Sequence, residues 1–240
     1  MENPGAGSPF LLLGDHAGRE IPRALGGLDV APGELDRHIA WDIGVASVGA
    51  DLARRLDATF IRQRYSRLVV DCNREPGHAG AMPAVSDGTA IPGNTDLSPE
   101  AAAQRRSAIF APYHDRIAAE LDARAARGKP TVLVALHSFT PVMAGFVRPW
   151  RYGVVHADDS AFSAAVLRRL RGELGEAAGD NQPYGMDGHD FTIPHHAWGR
   201  RLEYLELEIN QGLIGEAEGQ EAAAAFVAGL LSAALAEIGL

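Results

Sequence analysis

Two apolar runs, each ending on a histidine, constrain this 240-residue chain more than any other feature. The more strand-like is Thr131-Val-Leu-Val-Ala-Leu-His137, and the other is Phe10-Leu-Leu-Leu-Gly-Asp-His16. In open α/β sheets the ligand crevice lies just past the carboxyl ends of the strands. Separate strands therefore deliver His16 and His137 to one edge, where two imidazoles can converge on a single metal ion. Hydrolytic zinc chemistry needs that arrangement.

The rest of the chain alternates in the same way. Further strands are expected at 59–64, at 67–71 (separate, or one bent strand with the previous segment), at 152–156 and at 205–209. The last of these alternates Leu, Glu, Leu, Glu, Ile, the period of two of a strand with one polar face. Pro32 and Gly33 open a helical pattern that breaks near Trp41. It resumes through Val45, Val48, Leu52 and Leu56, which share one helix face. Ser98 caps a helix with Pro99 at its first position, running toward Arg127 and kinked by Pro112. Further helices are expected at 160–174, capped by Ser160, and at 216–237. Between 75 and 99 lies a proline- and glycine-rich loop, and loops of that length in compact domains more often cover a site than space two elements. Residues 179–188 read as a polar loop. With no repeat and no internal linker, the pattern predicts one domain over 1–240, a three-layer α/β/α architecture.

Bulk properties exclude several functions. A net charge of −9 without a basic tract argues against nonspecific nucleic-acid binding. The single cysteine, Cys72, excludes an internal disulfide and any cysteine-rich zinc site, and fits a reducing compartment. Residues 1–9 lack the features of a signal peptide. The apolar stretch 222–240 is interrupted by Ser232 and Glu237 and reads as a packed helix rather than a membrane span. A cytoplasmic protein with no membrane partner is expected. Lys129 is the one lysine among 22 basic residues, so an arginine in this chain carries less information than usual.

The third ligand of a His–His metal site should be a carboxylate. Glu20, four residues after His16, and Asp42, at the start of the 43–56 helix, both qualify, and spacing does not rank them. Asp15 adjoins His16 and suits a supporting position. Glu206 and Glu208 share one strand face. Near a metal, such a glutamate can deprotonate water and then protonate the leaving amine. On an edge strand it would simply face solvent. Arg67, Asp71, Asn73 and Arg74 cluster in Ser66-Arg-Leu-Val-Val-Asp-Cys-Asn-Arg74, where arginine recognises carboxylates and Asp71 equally suits a structural ion pair. His195 and His196 point about 100° apart if helical, so at most one faces the site; His196 is the expected catalytic partner. Asn181 and Tyr184, in Gly179-Asp-Asn-Gln-Pro-Tyr184, suit substrate positioning. Most of the histidines at 38, 78, 114, 156 and 189 are expected at the surface. Neither a Gly-x-Ser-x-Gly elbow nor a phosphate-cradling glycine loop is present.

Taken together, the motifs resemble the N-formylglutamate amidohydrolase family. The blocks are Asp15-His-Ala-Gly-Arg-Glu-Ile-Pro22, Trp41-Asp-Ile-Gly44, Tyr65-Ser-Arg-Leu-Val-Val-Asp-Cys-Asn-Arg74 and Ser86-Asp-Gly-Thr-Ala-Ile-Pro-Gly-Asn94. They continue with Pro112-Tyr-His114, His137-Ser-Phe-Thr140, Gly179-Asp-Asn-Gln-Pro-Tyr184 and Leu207-Glu-Ile-Asn-Gln-Gly-Leu-Ile214. The resemblance implies a zinc-exopeptidase-like fold with a mixed central sheet and one Zn2+ per chain. It implies hydrolysis of the N-acyl bond of a small acidic amino acid, N-formylglutamate being the type substrate. On matching positions it makes His16, Asp42 and His137 the metal ligands, prefers Asp42 over Glu20, and makes Glu208 the base. It sets Arg67, Asn73 and Arg74 against substrate carboxylate. The chain departs from the family at Asn210 and Gly212, where an arginine and an aspartate are common, and at Ala17-Gly18-Arg19. These departures bear on substrate rather than metal chemistry. The alternatives are another zinc amidohydrolase, acting on peptide-like or cell-wall amides, and a noncatalytic binder of acidic amino acids.

Overall fold

The computed structural model describes residues 1–157, 159–186 and 188–240. Strand β1 (Phe10–Gly14) leads through short 3-10 turns to helix α1 (Val45–Arg55) and strand β2 (Thr59–Arg62). A small hairpin, β3 (Val85–Ser86) and β4 (Thr89–Ala90), precedes helices α2 (Pro99–Arg105) and α3 (Ala111–Ala126). Strand β5 (Val132–Phe139) is followed by a second hairpin, β6 (Val142–Met143) and β7 (Phe146–Val147), then by β8 (Tyr152–Val155) and α4 (Ala161–Leu174). The chain ends with β9 (Ala178–Asp180), α5 (Thr192–His196), β10 (Glu203–Asn210), α6 (Gln211–Ile214) and α7 (Ala217–Ile238).

Six strands form the central sheet in the order β2-β1-β5-β10-β8-β9. The first four run parallel, whereas β8 opposes β10 and β9 follows β8. The sheet is therefore mixed, with helices on both faces. Side chains alternate across a strand, and the alternation divides the core in two. Phe10, Leu12, Val134, Leu136, Leu205 and Leu207 face α1, α4 and α7, packing on Val48, Leu52, Phe162, Val166, Val227 and Leu231. Leu11, Leu13, Leu133, Ala135 and Tyr204 face Ile117 and Leu121 of α3 and Ile193 of α5. Burial on both faces explains why β1 and β5 read as continuous apolar runs. The second face also receives residue 137 of β5 and residues 206 and 208 of β10, which continue its alternation.

Several expectations needed correction. The segment 67–71 is not a strand: Leu68, Val69 and Val70 are buried in a run of turns. Side chains satisfy its backbone instead of a ladder. Asn94 Nδ2 donates to Leu68 O at 2.9 Å and Arg105 Nη1 to Val69 O at 3.2 Å. Residues 32–36 form only a 3-10 turn, without the expected helix. Pro112 does not stand in a simple kink; a π-helical turn at Arg106–Phe110 precedes it and absorbs the missing N–H. Part of the expected 179–188 loop is strand β9, and Asp187 of that stretch lies outside the described residues. Helix α7 is long and apolar enough to cross a membrane. It packs Ala223, Ala224, Val227, Leu230, Leu231 and Ala234 into the core beside α1 and α4.

Gly44 caps α1 with a φ of 85°, and a Cβ there would lie 2.3 Å from Ile214 O. Both facts demand glycine. Gly44→Ala is expected to cost about 2 kcal/mol or more and to disturb Asp42, two residues earlier. Urea unfolding checks this, and an unchanged midpoint would refute the close approach.

Candidate active site

The carboxyl ends of β1, β5 and β10 open into a cleft of about 500 Å³, lined at its base by His16, Asp42, Asp71, His137, Glu206 and Glu208. His16 stands just past β1, while His137 lies near the end of β5 with Glu208 as its register partner on β10. The two imidazoles are close, with ring centroids 5.0 Å apart. Asp42 lies between them: its Oδ2 is 3.6 Å from His16 Nδ1 and 3.0 Å from His137 Nδ1. Ligands placed tetrahedrally at ~2 Å from zinc lie about 3.3 Å from one another. One ligand atom from each of the three residues falls within 4.8 Å of the others.

The far side of each imidazole faces a carboxylate. His16 Nε2 is 2.6 Å from Asp71 Oδ1, and His137 Nε2 is 3.5 Å from Asp15 Oδ2. Metal-bound histidines are commonly oriented by such partners. Tyr113 donates its hydroxyl hydrogen to Asp15 at 2.7 Å, and Arg67 donates Nη2 to Asp71 at 2.7 Å. His16 Nδ1, Glu206 Oε2 and Glu208 Oε2 are buried with no hydrogen-bond partner among the described residues. Leaving such atoms unpaired costs about 1–3 kcal/mol each, so their convergence calls for a ligand.

The charge balance points the same way. Five buried carboxyl groups, at positions 15, 42, 71, 206 and 208, gather here, and Arg67 pairs with two of them, Asp42 and Asp71. Burial alone would raise Asp42 and Asp71. For Asp42 the His16 and His137 imidazoles outweigh it, for Asp71 mainly Arg67 and His16 do, and both acids end well below the usual carboxylate range. Burial disfavours the imidazolium of His137, yet Asp15 and Asp42 raise it well above the ordinary value. Glu208, only 5% exposed, is pushed up to about 7 by burial, with His137 opposing. Glu206, two residues deeper along β10, is also driven well above its ordinary value by burial, which favours its neutral form.

Other expected residues fall elsewhere. Glu20 pairs with Arg64 at the surface, which leaves Asp42 as the carboxylate between the histidines. Glu206 and Glu208 are buried, because β10 is an interior strand rather than an edge. Arg67 and Arg74 border the cleft, although each already binds a protein carboxylate, Arg74 through Nη1 to Asp190 at 3.1 Å. Asn73 borders it too, but its amide is committed: Oδ1 accepts from Phe191 N at 3.0 Å and Thr192 N at 2.9 Å, and Nδ2 donates to Asp190. Its part is to hold the start of α5. Asn181 does not line the cleft; its Oδ1 accepts from His156 N at 2.9 Å in a turn with φ 50°. Tyr184 does line it.

His196 is not brought to the cleft, so direct catalysis by it is corrected. Its Nε2 lies 2.9 Å from Nδ1 of His114, which is buried rather than at the surface, and His114 Nε2 donates to Cys72 O at 2.9 Å. Burial lowers His114 to about 4, and burial with the neighbouring imidazoles lowers His196 to about 3. Their stabilising contribution is whole above the ordinary value of 6.5 and is lost as pH falls toward 4. Neither imidazole is expected to titrate between pH 5 and 8 in a histidine NMR titration. A midpoint near 6.5 for either would contradict this packing.

Asp15, Asp71 and Tyr113 complete the polar cluster, and Thr140, which lines the cleft, accepts through its carbonyl from Arg148 Nη1 at 3.2 Å. The adjacency of Asp15 to His16 and the spacing of Asp71 from Arg67 were usable signals for the first two. Nothing local marks Arg148, which lies outside every motif.

Comparison with known proteins agrees with this geometry. The chain is 38% identical to gene product Atu2144 from Agrobacterium tumefaciens, whose crystal structure superposes with a TM-score of 0.96 over 100% of this chain and 95% of that one. It shares the fold of N-formylglutamate amidohydrolase from Ralstonia eutropha JMP134, with a TM-score of 0.66 at 19% identity over 96% of this chain and 94% of that one. No curated protein sequence matches it significantly. The sequence model of the N-formylglutamate amidohydrolases matches residues 8–215, a span that holds every residue of the cluster, and the chain belongs to that family.

Proposed function

We propose that the chain is a zinc-dependent hydrolase of N-acyl acidic amino acids, with N-formylglutamate as the type substrate. The observation carrying this reading is the buried convergence of His16, Asp42 and His137 beside the unpartnered Glu208 carboxyl. Two imidazoles and a carboxylate are a common donor set for catalytic zinc, with a fourth position left open. When bound there, zinc supplies a Lewis acid to the amide carbonyl and to water.

The protein's own groups do the rest. Glu208 takes a proton from the attacking water and passes it to the leaving nitrogen, so the C–N bond breaks to a carboxylic acid and a free amine. Burial holds the Glu208 carboxyl where both protonation states are accessible near neutral pH. Asp71 and Asp15 fix the ring orientations of His16 and His137. Arg67 and Arg74 border the cleft, each paired with a protein carboxylate, and would share their remaining donors with one substrate carboxylate. We place the reaction in one domain over 1–240, in the cytoplasm, on a small-molecule substrate.

Formate release from N-formyl-L-glutamate tests the reading. Zinc-loaded protein should turn the substrate over, chelation should stop it, and added zinc should restore it. If no N-acyl acidic amino acid is hydrolysed, or if chelated protein stays fully active, the proposal fails.

A further inference from the structure

The wall of the cleft that starts at His137 continues outward along one stretch of chain. His137, Phe139 and Thr140 line it in turn as β5 ends, and Met143 of β6 lines it further along the sequence. Beyond Met143 the chain turns back through Ala144 and Gly145, with φ of 48° and 80°. Positive φ at both central residues is the two-residue hairpin turn whose twist matches its strands. Residues directly opposite one another in such a hairpin share a face. Phe146 is the register partner of Met143, so its ring extends the face that Met143 presents to the cleft. The other pair, Val142 and Val147, lies on the reverse face.

Phe146 is 58% exposed, although the hairpin around it is tied down. Its ring centroid lies 6.3 Å from that of Trp150, within the range of aromatic pairs. Asn210, at the end of the strand that carries Glu208, donates Nδ2 to Trp150 O at 2.9 Å. At the base of the hairpin Arg148 N donates to Pro141 O at 2.9 Å, and Arg148 Nη1 to Thr140 O at 3.2 Å. The base is thereby clamped to the segment that ends β5. An apolar face is thus held exposed in direct continuity with the cleft.

The cleft is also larger than a formyl group requires. Its volume of about 500 Å³ falls within the roughly 300–1,000 Å³ of pockets that enclose drug-sized ligands, whereas a formyl group offers a single carbon and its oxygen. Arg67 and Arg74, given above to the substrate carboxylate, belong to another segment, which leaves the Met143–Phe146 face to the acyl end. An aliphatic chain laid along that face removes apolar surface of both partners from water and buries no polar group.

We propose that this face takes the acyl group, and that the chain hydrolyses N-acyl amino acids with an extended apolar acyl chain in preference to N-formyl ones. The inference rests on the amidohydrolase reading and names the acyl half of its substrate. The bond change is the same. Water adds its oxygen to the acyl carbon, the C–N bond breaks, and the proton passes to the leaving nitrogen, giving a medium-chain carboxylic acid and a free amine.

The test compares N-formyl-, N-acetyl- and N-hexanoyl-L-glutamate as substrates of the zinc-loaded protein. Because each fully buried methylene contributes about fourfold, kcat/KM should rise along the series, by about 10-fold or more from acetyl to hexanoyl on a partly open face. Phe146→Ser should cut the hexanoyl-to-acetyl ratio by about threefold or more, and Phe146→Leu should keep most of it. Calorimetric binding of hexanoate and acetate, the corresponding acid products, reads the same preference without turnover. If the protein hydrolyses none of the three amides, the amidohydrolase reading fails. Hexanoate binding that exceeds acetate binding and weakens in Phe146→Ser would still support the acyl face, and equal binding of the two acids would overturn it. A flat or falling substrate series, or a ratio that Phe146→Ser leaves unchanged, also overturns the assignment. Loss of a dimer in sedimentation of Phe146→Ser, with that ratio unchanged, would make the face a contact between copies of the chain instead.

Discussion

A Glu208→Gln protein is expected to keep its metal and lose about 10³-fold or more in kcat toward N-formylglutamate. The substitution preserves shape and breaks no hydrogen bond to Oε2, which has no partner among the described residues. The interior strand that carries it, with Leu207 and Ile209 fully buried on the other face, should not change. What disappears is the ability to accept a proton. Glu206 is the nearest substitute, but it lies two residues deeper along β10 and burial favours its neutral form. Measured zinc content near wild type with kcat reduced less than tenfold would show that the base is another group.

His16→Ala should act on metal and turnover together. Removing Nδ1 takes away one of the three proposed ligands and leaves Asp71 with Arg67, and Asp42 with Arg67 and His137. Loss of a partner behind a metal ligand typically costs 10–100-fold in affinity, and Asp71→Asn belongs in that range. Loss of the ligand itself should cost more. Thermal unfolding reads this without turnover: a ligand at about 100 times its Kd stabilises the native state by ~2.7 kcal/mol. Zinc should raise the Tm of wild type clearly, raise that of Asp71→Asn less, and leave that of His16→Ala nearly unmoved. Equal shifts in all three proteins would place the metal elsewhere.

Much of this was legible in the sequence because the core is built from period and run length. The apolar runs ending at His16 and His137 name two strands and their carboxyl ends, and parallel pairing then fixes where both histidines arrive. The i, i+3, i+7 spacing of Val45, Val48 and Leu52 marks the buried face of α1. The direction of β8 could not be read in that way, since a short strand carries no mark of its polarity. Segment 67–71 has strand composition, but Asn94 and Arg105 from distant turns take its backbone groups, and no local window shows them.

The site divides along the same line. Local pattern puts His16 and His137 at strand ends, whereas choosing Asp42 over Glu20 and Glu208 over Glu206 needed the family resemblance. Asn73 and Asn181 share the composition of substrate-binding loops, yet each spends its side chain on nearby backbone. Arg148 gains its setting from Phe139 and Tyr184, the latter 36 residues away, and only the folded chain brings them together.

Zinc-edge anomalous diffraction from zinc-loaded crystals tests the central claim most directly. The account predicts one strong peak per chain, at ~2 Å from His16 Nδ1, an Asp42 carboxylate oxygen and His137 Nδ1. Full hydrolytic activity in crystals or solution with no peak between those three residues would contradict it.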